Sequence, residues 1–229
     1  RNDPREVLIT RKKQKFKNLP KNSIVGTSSF RREYQLKRIR KDLVYKLIRG
    51  NVDTRIKKLN NKIYDAIILS YAGLKSLKMQ KKISQVFSLS EIIPSAGQGI
   101  IALQCREGDE KIINLLKNIN HMPTYYCAIA EREVLKVLEG DCETAVGVFA
   151  EIKNQEINLD AELFSIDGSK SYNTTKSKPL EFAKDLGNEV GKILKKRSNN
   201  SYKKWYAYFT DTTIRRLFRN DFEVYNFRP

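Results

Sequence analysis

The sequence is poor in the residues that build metal sites and disulfide frameworks. Its 229 residues include three cysteines and one histidine. Cys105, Cys127 and Cys142 stand far apart and form no C-x-x-C pair. A zinc site with Cys and His ligands is therefore not expected, and the odd count argues against a disulfide framework. A reducing compartment is the simpler interpretation.

Long apolar runs are also missing. No window approaches about 18 uninterrupted apolar residues, so we expect no transmembrane helix. The chain starts with charged residues, and the apolar stretch that a signal peptide requires does not follow them. The sequence also lacks an initiator Met. We therefore expect the natural N-terminus to lie upstream of Arg1. The chain is 40% hydrophobic and 31% charged, a composition typical of a folded protein with one large or two modest domains.

Acidic residues are outnumbered by basic ones. The chain has 44 Lys and Arg against 26 Asp and Glu, a formal net charge of +18. Such an excess attracts polyanions, of which nucleic acid and an acidic small molecule are the two candidates. A third interpretation stays open, in which most lysines only form a solvated surface.

The hydrophobic pattern predicts two kinds of folded unit. Up to residue 78, apolar strands alternate with helices, which predicts a parallel sheet covered by helices. The predicted strands cover 23–25, 43–48, 66–69 and 100–105, and the predicted helices cover 30–41, 52–59, 73–79 and 110–119. A helix from Pro123 to a cap at Gly140 follows. Three antiparallel strands (146–152, 156–164 and 170–174) and a helix over 180–195 are predicted after Cys142.

Two loops at predicted strand ends are rich in groups that bind anions. In Gly26-Thr27-Ser28-Ser29-Phe30-Arg31-Arg32 a strand ends and a helix begins, so backbone N–H groups and hydroxyls are available there. Arg49-Gly50-Asn51 leads into a helix that carries Arg55. Ligands of open α/β sheets bind at the carboxyl ends of the strands, and several guanidinium groups there favour a ligand with several carboxylates or phosphates. The alternative is that Ser29 only caps its helix and the arginines face water.

The cysteines differ in their surroundings. Cys142 lies in a predicted loop after a helix end, where a thiol is an accessible nucleophile, although an unremarkable surface cysteine is the alternative. Asp141 and Glu143 disfavour a thiolate there, so a constitutively reactive redox cysteine is not expected. Cys105 and Cys127 lie on apolar patterns and are expected to be inert.

Six segments, in this order, resemble the porphobilinogen deaminase family. They are Val25–Arg32 (VGTSSFRR), Arg49–Arg55 (RGNVDTR), Tyr64–Leu69 (YDAIIL), Ala72–Leu74 (AGL), Gly97–Gly99 (GQG) and Leu138–Cys142 (LEGDC), and the opening Asp3–Glu6 (DPRE) matches as well. The resemblance runs from Arg1 to about Arg197. It is specific because the motifs occur together in register.

The resemblance implies an enzyme that condenses four porphobilinogen molecules and releases ammonia at each step. In that family a dipyrromethane cofactor is bound through a loop cysteine, which corresponds to Cys142. The implied cofactor- and substrate-binding residues of this chain are Thr27, Ser29, Arg31, Arg32, Arg49, Asn51, Arg55 and Gln98. No metal is implied.

The resemblance also implies a fold class and a domain organisation. The fold class is α/β, with a periplasmic-binding-protein-like parallel or mixed sheet domain and a small C-terminal α+β domain with an antiparallel sheet. Residues 1–93 are expected to form domain 2, 94–120 the returning part of domain 1, and 121–197 domain 3. Residues 198–229 match no part of the family and are expected to be a C-terminal extension. Asp141 departs from the family, which usually has a small residue there.

The catalytic aspartate of the family is expected upstream of Arg1, so no catalytic acid is assigned and residues 1–229 alone are expected to be inactive. The expected partners are porphobilinogen and that N-terminal segment. Binding to a membrane or to nucleic acid is not expected, and the enzyme is expected to be monomeric. A cytoplasmic or plastid location fits the family. Two alternatives stay open: a nucleic-acid-binding protein, which the charge and the aromatic, basic tail favour, and a non-enzymatic anion receptor.

Overall fold

A computed structural model describes residues 1–141 and 143–203. Cys142 lies outside the described residues. Residues 204–229, which make up most of the predicted C-terminal extension, also lie outside them. Within the described part of the chain, no helix has the length and apolar character that crossing a membrane requires.

The N-terminal unit is built on a five-stranded mixed sheet with the order β3-β2-β4-β1-β5. Its strands are β1 (Glu6–Thr10), β2 (Ile24–Gly26), β3 (Val44–Lys46), β4 (Ala66–Ser70) and β5 (Gln85–Val86). Strands β2, β3 and β4 run parallel, as the alternating pattern predicts. Strand β1 is antiparallel to both β4 and β5, which makes the sheet mixed.

Helices cover both faces of this sheet because its buried strands are apolar on both sides. They are α1 (Phe30–Ile39), α2 (Val52–Asn60) and α3 (Tyr71–Ser76). Leu36 of α1 packs on one face, in the cluster with Leu8 and Ile68. Leu59 of α2 packs on the other face, in the cluster with Ile67. Successive strand residues thus point to opposite cores, as the period of two requires.

The predicted strand over Ile100–Cys105 is not formed within the described part of the chain. Residues 100–105 adopt no regular structure, and Ile101 is 89% exposed and Leu103 60% exposed. The prediction was wrong here because alternating apolar residues form a strand only where a sheet edge is available to pair with them. The helix predicted next is confirmed as α4 (Glu110–Ile119), whose Leu115 and Ile119 are exposed.

The C-terminal unit is a three-stranded antiparallel sheet covered on one face by two helices. Its elements are α5 (Met122–Leu138), β6 (Val146–Lys153), β7 (Glu156–Phe164), β8 (Ser171–Pro179) and α6 (Ala183–Ser198). The strand order is β6-β7-β8, as predicted. Strand β8 extends beyond its predicted end, because its pairing with β7 continues to Pro179 opposite Glu156.

The ends of α5 show local chemistry that differs in part from the prediction. His121 accepts a hydrogen bond from the Thr124 backbone N–H (3.3 Å) and caps the start of the helix. At the other end, the cap is Glu139 in a left-handed conformation (φ 53°), one residue before the predicted cap Gly140. The Gly140 N–H then donates to the Leu135 carbonyl (3.0 Å), which closes the last turn.

Glu131 of α5 ties the two units together. Its buried carboxylate accepts two hydrogen bonds from the Arg1 guanidinium group (2.7 Å each). It also accepts the backbone N–H groups of Gly97 (2.6 Å) and Ala150 (2.7 Å). A single carboxylate therefore connects the start of the chain, the loop at residues 94–99 and strand β6.

Candidate anion-binding site

The two anion-binding loops predicted from the sequence lie side by side. They follow β2 and β3, which are neighbouring parallel strands, so both loops emerge at the same edge of the sheet. The Thr27 N–H donates to the Lys46 carbonyl (3.1 Å) and joins the two strand ends. Thr27 is buried, and its hydroxyl accepts the Ser29 N–H (3.2 Å). Ser29 is the N-cap of α1, but its contact with the Arg32 N–H is long, at 3.4 Å.

Arg31 and Arg32 do not simply face water, because both are paired with Glu6. Strand β1 is antiparallel to β4 and Glu6 lies opposite Ser70, which brings this carboxylate to the carboxyl ends of the parallel strands. Glu6 is completely buried, and its two oxygens lie 2.7 Å from Arg31 Nη2 and 2.8 Å from Arg32 Nη2. Burial raises the pKa of Glu6, but the two guanidinium groups outweigh this effect and the pKa is lowered overall, so the carboxylate is ionised.

The two arginines differ in how far the protein satisfies them. Arg31 is 4% exposed, and its other terminal nitrogen donates to the Ile93 carbonyl (2.8 Å). The protein thus engages both terminal nitrogens of Arg31, and its predicted contact with a ligand stays a prediction. Arg32 Nε, by contrast, is buried and has no hydrogen-bond partner among the described residues.

The second loop adds positive charge, and no carboxylate of the described residues pairs with Arg49 or Arg55. Arg55 Nε donates to the Gly50 carbonyl (2.7 Å), and desolvation together with the charge of Arg32 lowers the pKa of Arg55. Arg49 is exposed, and its side chain makes no hydrogen bond or ion pair within residues 1–141 and 143–203. Asn51 caps α2 by accepting the Thr54 N–H (2.9 Å), which is a structural role, and its predicted ligand contact is untested.

Gln98 belongs to the same cluster. Its side-chain amide donates to Glu6 Oε1 (3.1 Å) and to the Pro4 carbonyl. The backbone carbonyl of Gln98 accepts a hydrogen bond from Arg1 Nε (3.1 Å). The loop at residues 94–99 is therefore fixed against the carboxylate that organises the arginines.

The charges of this edge fit a ligand that carries several carboxylates. Arg31, Arg32 and Arg55 bring three positive charges, and Glu6 neutralises one of them, which leaves an excess of two. A buried donor without a partner, such as Arg32 Nε, is costly unless a ligand supplies an acceptor. The described residues of this edge thus combine a net positive charge with one unpartnered donor, which is the chemistry of an anion-binding site.

Asp141 stabilises a turn with Glu143 and Thr144. One oxygen of this carboxylate accepts the backbone N–H groups of Glu143 and Thr144 (both 2.9 Å) and the Thr144 hydroxyl (3.0 Å). Although burial raises the pKa of Asp141, these hydrogen bonds lower it overall. Cys142, the predicted attachment point of the cofactor, lies outside the described residues.

Sequence reasoning missed Glu6, which is the centre of the cluster. The available signal was an acidic residue at the start of an apolar strand, directly before Val7-Leu8-Ile9. A charge is buried in such a place only when it is paired, so the residue implied a basic partner elsewhere. The partner could not be read from the sequence because it depends on the antiparallel register of β1.

Comparison with known proteins identifies both units. Residues 1–114 match the family model described as "Porphobilinogen deaminase, dipyromethane cofactor binding domain". Residues 125–196 match the model described as "Porphobilinogen deaminase, C-terminal domain". The two models follow each other along the chain and together cover most of it.

Curated relatives agree with the family models. The chain is 41% identical over 187 residues to a porphobilinogen deaminase of Blochmanniella pennsylvanica, an alignment that covers 82% of this chain and 62% of that protein. It is 41% identical over 201 residues to a porphobilinogen deaminase of Coxiella burnetii, covering 88% of this chain and 65% of that protein. The chain thus spans a little under two thirds of the length of these relatives. It belongs to the porphobilinogen deaminase family.

Proposed function

We propose that this chain serves as part of a porphobilinogen deaminase, which condenses four porphobilinogen molecules into a linear tetrapyrrole with release of ammonia. The observation that carries the proposal is the arginine cluster around Glu6, with its two uncompensated positive charges and the unpartnered Arg32 Nε. A nucleic-acid-binding surface would need exposed basic residues, whereas these arginines are largely buried at the edge of a sheet.

Some residues of the site are proposed to bind carboxylates of the ligand, and others to orient the residues that bind them. Arg32 and Arg55, with the exposed Arg49, hold carboxylates of the cofactor and of the growing chain. Thr27 and Ser29 add hydroxyl and backbone donors at the start of α1. Arg31 and Gln98 fix the Glu6 carboxylate, which holds Arg32 in place.

Cys142 is proposed to hold dipyrromethane through a thioether. When bound, this cofactor supplies the primer to which new pyrrole rings are joined. The Asp141 turn fixes the backbone on either side of the cysteine. Porphobilinogen is the proposed substrate.

The intact mass of the complete protein, in which this chain is accompanied by the family's N-terminal segment, tests this assignment. We expect a mass increment of two pyrrole units, which the Cys142→Ser variant lacks. Formation of the linear tetrapyrrole from porphobilinogen is followed in parallel, as uroporphyrin after oxidation, and the same variant should lose this activity. The fold should persist, because serine differs from cysteine only by a hydroxyl in place of the thiol.

Cys105→Ser is the matched control, because this thiol is partly accessible and is not the predicted attachment point. It should retain the mass increment and the activity. A wild-type protein without the increment, or a Cys142→Ser variant that still carries it, would contradict the proposal. Salt-sensitive binding of a polyanion by a protein without covalent pyrrole would favour the nucleic-acid alternative instead.

A further inference from the structure

Helix α1 is fastened to the C-terminal unit by a set of contacts that we call the α1–β7 clasp, formed by Tyr34, Arg38, Glu162, Phe164 and Ile166. The Arg38 guanidinium group forms a two-pronged ion pair with Glu162, in which Nη2 lies 3.0 Å from Oε2. It also lies over the Phe164 ring, 5.5 Å from its centroid. The Tyr34 hydroxyl donates to the Ile166 carbonyl (2.8 Å), and its ring lies 5.7 Å from that of Phe164.

The turn after β7 is shaped to receive the Tyr34 ring. Gly168 has a φ of +70°, a conformation that favours glycine. A Cβ at this position would lie 2.5 Å from the Tyr34 ring. The turn and the helix are therefore in direct contact, with no room for a side chain between them.

The clasp continues into the loop that contains position 142. The Phe164 N–H donates to the Ala145 carbonyl (3.0 Å), and Val146 pairs with Leu163 in the sheet. Residues 141 and 144 are then joined by the Asp141 hydrogen bonds. A cavity of about 100 Å³, with Phe30 among its lining residues on one side and Glu143 on the other, lies between α1 and this loop.

At its other end the clasp reaches the anion-binding loop. Helix α1 has ten residues and begins after the N-cap Ser29, so Arg32 shares one helix with the clasp residues Tyr34 and Arg38. The anion-binding loop and the loop of residues 141–145 are thus connected through α1 and β7. The side chains that join α1 to β7 lie in neither loop.

We propose that Arg38, Glu162 and Tyr34 are positioning residues, which hold the anion-binding loop at a fixed distance from the loop of residues 141–145. The inference rests on the proposed function, because it assigns a purpose to that distance: carboxylates bound at one loop must reach a pyrrole chain attached at the other. A misplacement of about 1 Å can lower a reaction rate by about a hundredfold.

The contacts of the clasp are better suited to fixing the orientation of α1 on β7 than to stabilising the fold. Glu162 is 1% exposed, whereas Arg38 keeps 45% of its side chain in solvent. Burying a carboxylate opposes the attraction in such a pair, and apolar replacements of buried ion pairs are often as stable as the pair itself. The bidentate contact, however, fixes the orientation of helix and strand.

The kinetic test uses Glu162→Gln, Arg38→Gln and Tyr34→Phe in the complete protein, in which this chain is accompanied by the family's N-terminal segment. We expect kcat to fall about tenfold to a hundredfold in the two ion-pair variants, with KM for porphobilinogen within about twofold of the wild type. The double variant should be no worse than either single one, because both remove the same link. Lys176→Gln is the matched control, since Lys176 is 46% exposed and pairs with Glu189 inside the C-terminal unit.

A second measurement does not depend on activity. Spin labels are placed at Ser28→Cys and Glu143→Cys in a background without the native cysteines, and the distance distribution between them is recorded. It should be narrow with the clasp intact and broader in Glu162→Gln and Arg38→Gln. Unchanged kinetics, or unchanged distributions in the clasp variants, would overturn the proposal. If the wild-type protein carries no covalent pyrrole but the distance distribution still broadens in the clasp variants, only the proposed function is contradicted.

Discussion

At the scale of single residues, Arg32 meets two requirements at once. One terminal nitrogen pairs with buried Glu6, while Nε remains without a protein partner among the described residues. We predict that Arg32→Lys weakens binding of the multi-carboxylate cofactor. The planar guanidinium group can bind Glu6 and a ligand carboxylate at the same time, whereas the ammonium group of lysine lacks this geometry. The loss should be about 1.5–3 kcal/mol, a roughly tenfold to hundredfold effect on cofactor loading or turnover. Arg132→Lys, at an exposed position of α5, should show neither change.

Asp141 is the second residue whose role can be isolated. Removing its carboxylate in Asp141→Ala takes away the acceptor for the Glu143 and Thr144 N–H groups. We predict faster amide hydrogen exchange at residues 143 and 144 in this variant. Asp141→Asn keeps one carbonyl oxygen and should preserve most of the protection. Equal exchange rates in the alanine variant and the wild type would show that the turn does not depend on this side chain.

At the scale of elements, the junction of α5 with the N-terminal unit depends on Glu131. In Glu131→Ala, the Arg1 guanidinium group and the N–H groups of Gly97 and Ala150 lose their shared acceptor. Removing one partner of a buried ion pair costs about 3–5 kcal/mol, and we predict a loss of this size in urea denaturation. Glu181→Ala, an exposed position, serves as the control. A loss no larger than that of the control would contradict this account.

The packing of α5 against α6 depends on small residues. A Cβ at Gly187 would lie 2.3 Å from the Ala130 carbonyl oxygen, and one at Gly191 would lie 2.7 Å from Val137 Cβ. The first contact is with backbone, which cannot move aside alone. We predict that Gly187→Ala lowers the free energy of unfolding by about 1–3 kcal/mol, although alanine is the better helix former. Lys192→Ala on the exposed face of α6 should be nearly neutral in thermal unfolding.

At the scale of the whole molecule, several carboxylates make the protein sensitive to acid. A hydrogen bond from Arg40 lowers the pKa of Asp42 from 3.8 to about 2, and hydrogen bonds from Ser165 and Ser169 lower that of Asp167 to about 2. The pKa of Glu6 is lowered as well. Groups whose folded pKa is depressed stabilise the fold above their unfolded pKa, and this stability is lost as the pH falls through the folded value.

We therefore predict that the urea midpoint decreases as the pH falls from about 4 to about 2. Glu162 acts in the opposite direction, because its burial raises its pKa despite the contact with Arg38. The formal net charge of +18 adds repulsion as carboxylates are protonated. Added salt should recover only the repulsive part, since salt screens exposed charges far better than buried pairs. A midpoint that stays constant over this range would contradict the prediction.

Local sequence patterns were enough to predict many of the secondary-structure elements and the two loops of the candidate site. The strand and helix periods predicted β2, β4, α2 and the three antiparallel strands, and the residue types of the Thr-Ser-Ser and Arg-Gly-Asn loops indicated the anion-binding edge. These features are legible because each arises within one element or one loop. The predicted domain boundaries, the requirement for an upstream segment and the cellular location stay predictions.

The tertiary structure decided which charges remain available and which segments find partners. Glu6 lies 25 residues from Arg31, and Arg38 lies 124 residues from Glu162. Such pairs follow from sheet register and from the packing of one unit on another, and no local period encodes them. For the same reason residues 100–105 carry a strand pattern without forming a strand in the described part of the chain. The sequence by itself determined most of the elements and the residue types of the loops. Only three-dimensional pairing decided that Arg31 is held by Glu6 and the Ile93 carbonyl, and that Arg32 Nε has no partner among the described residues.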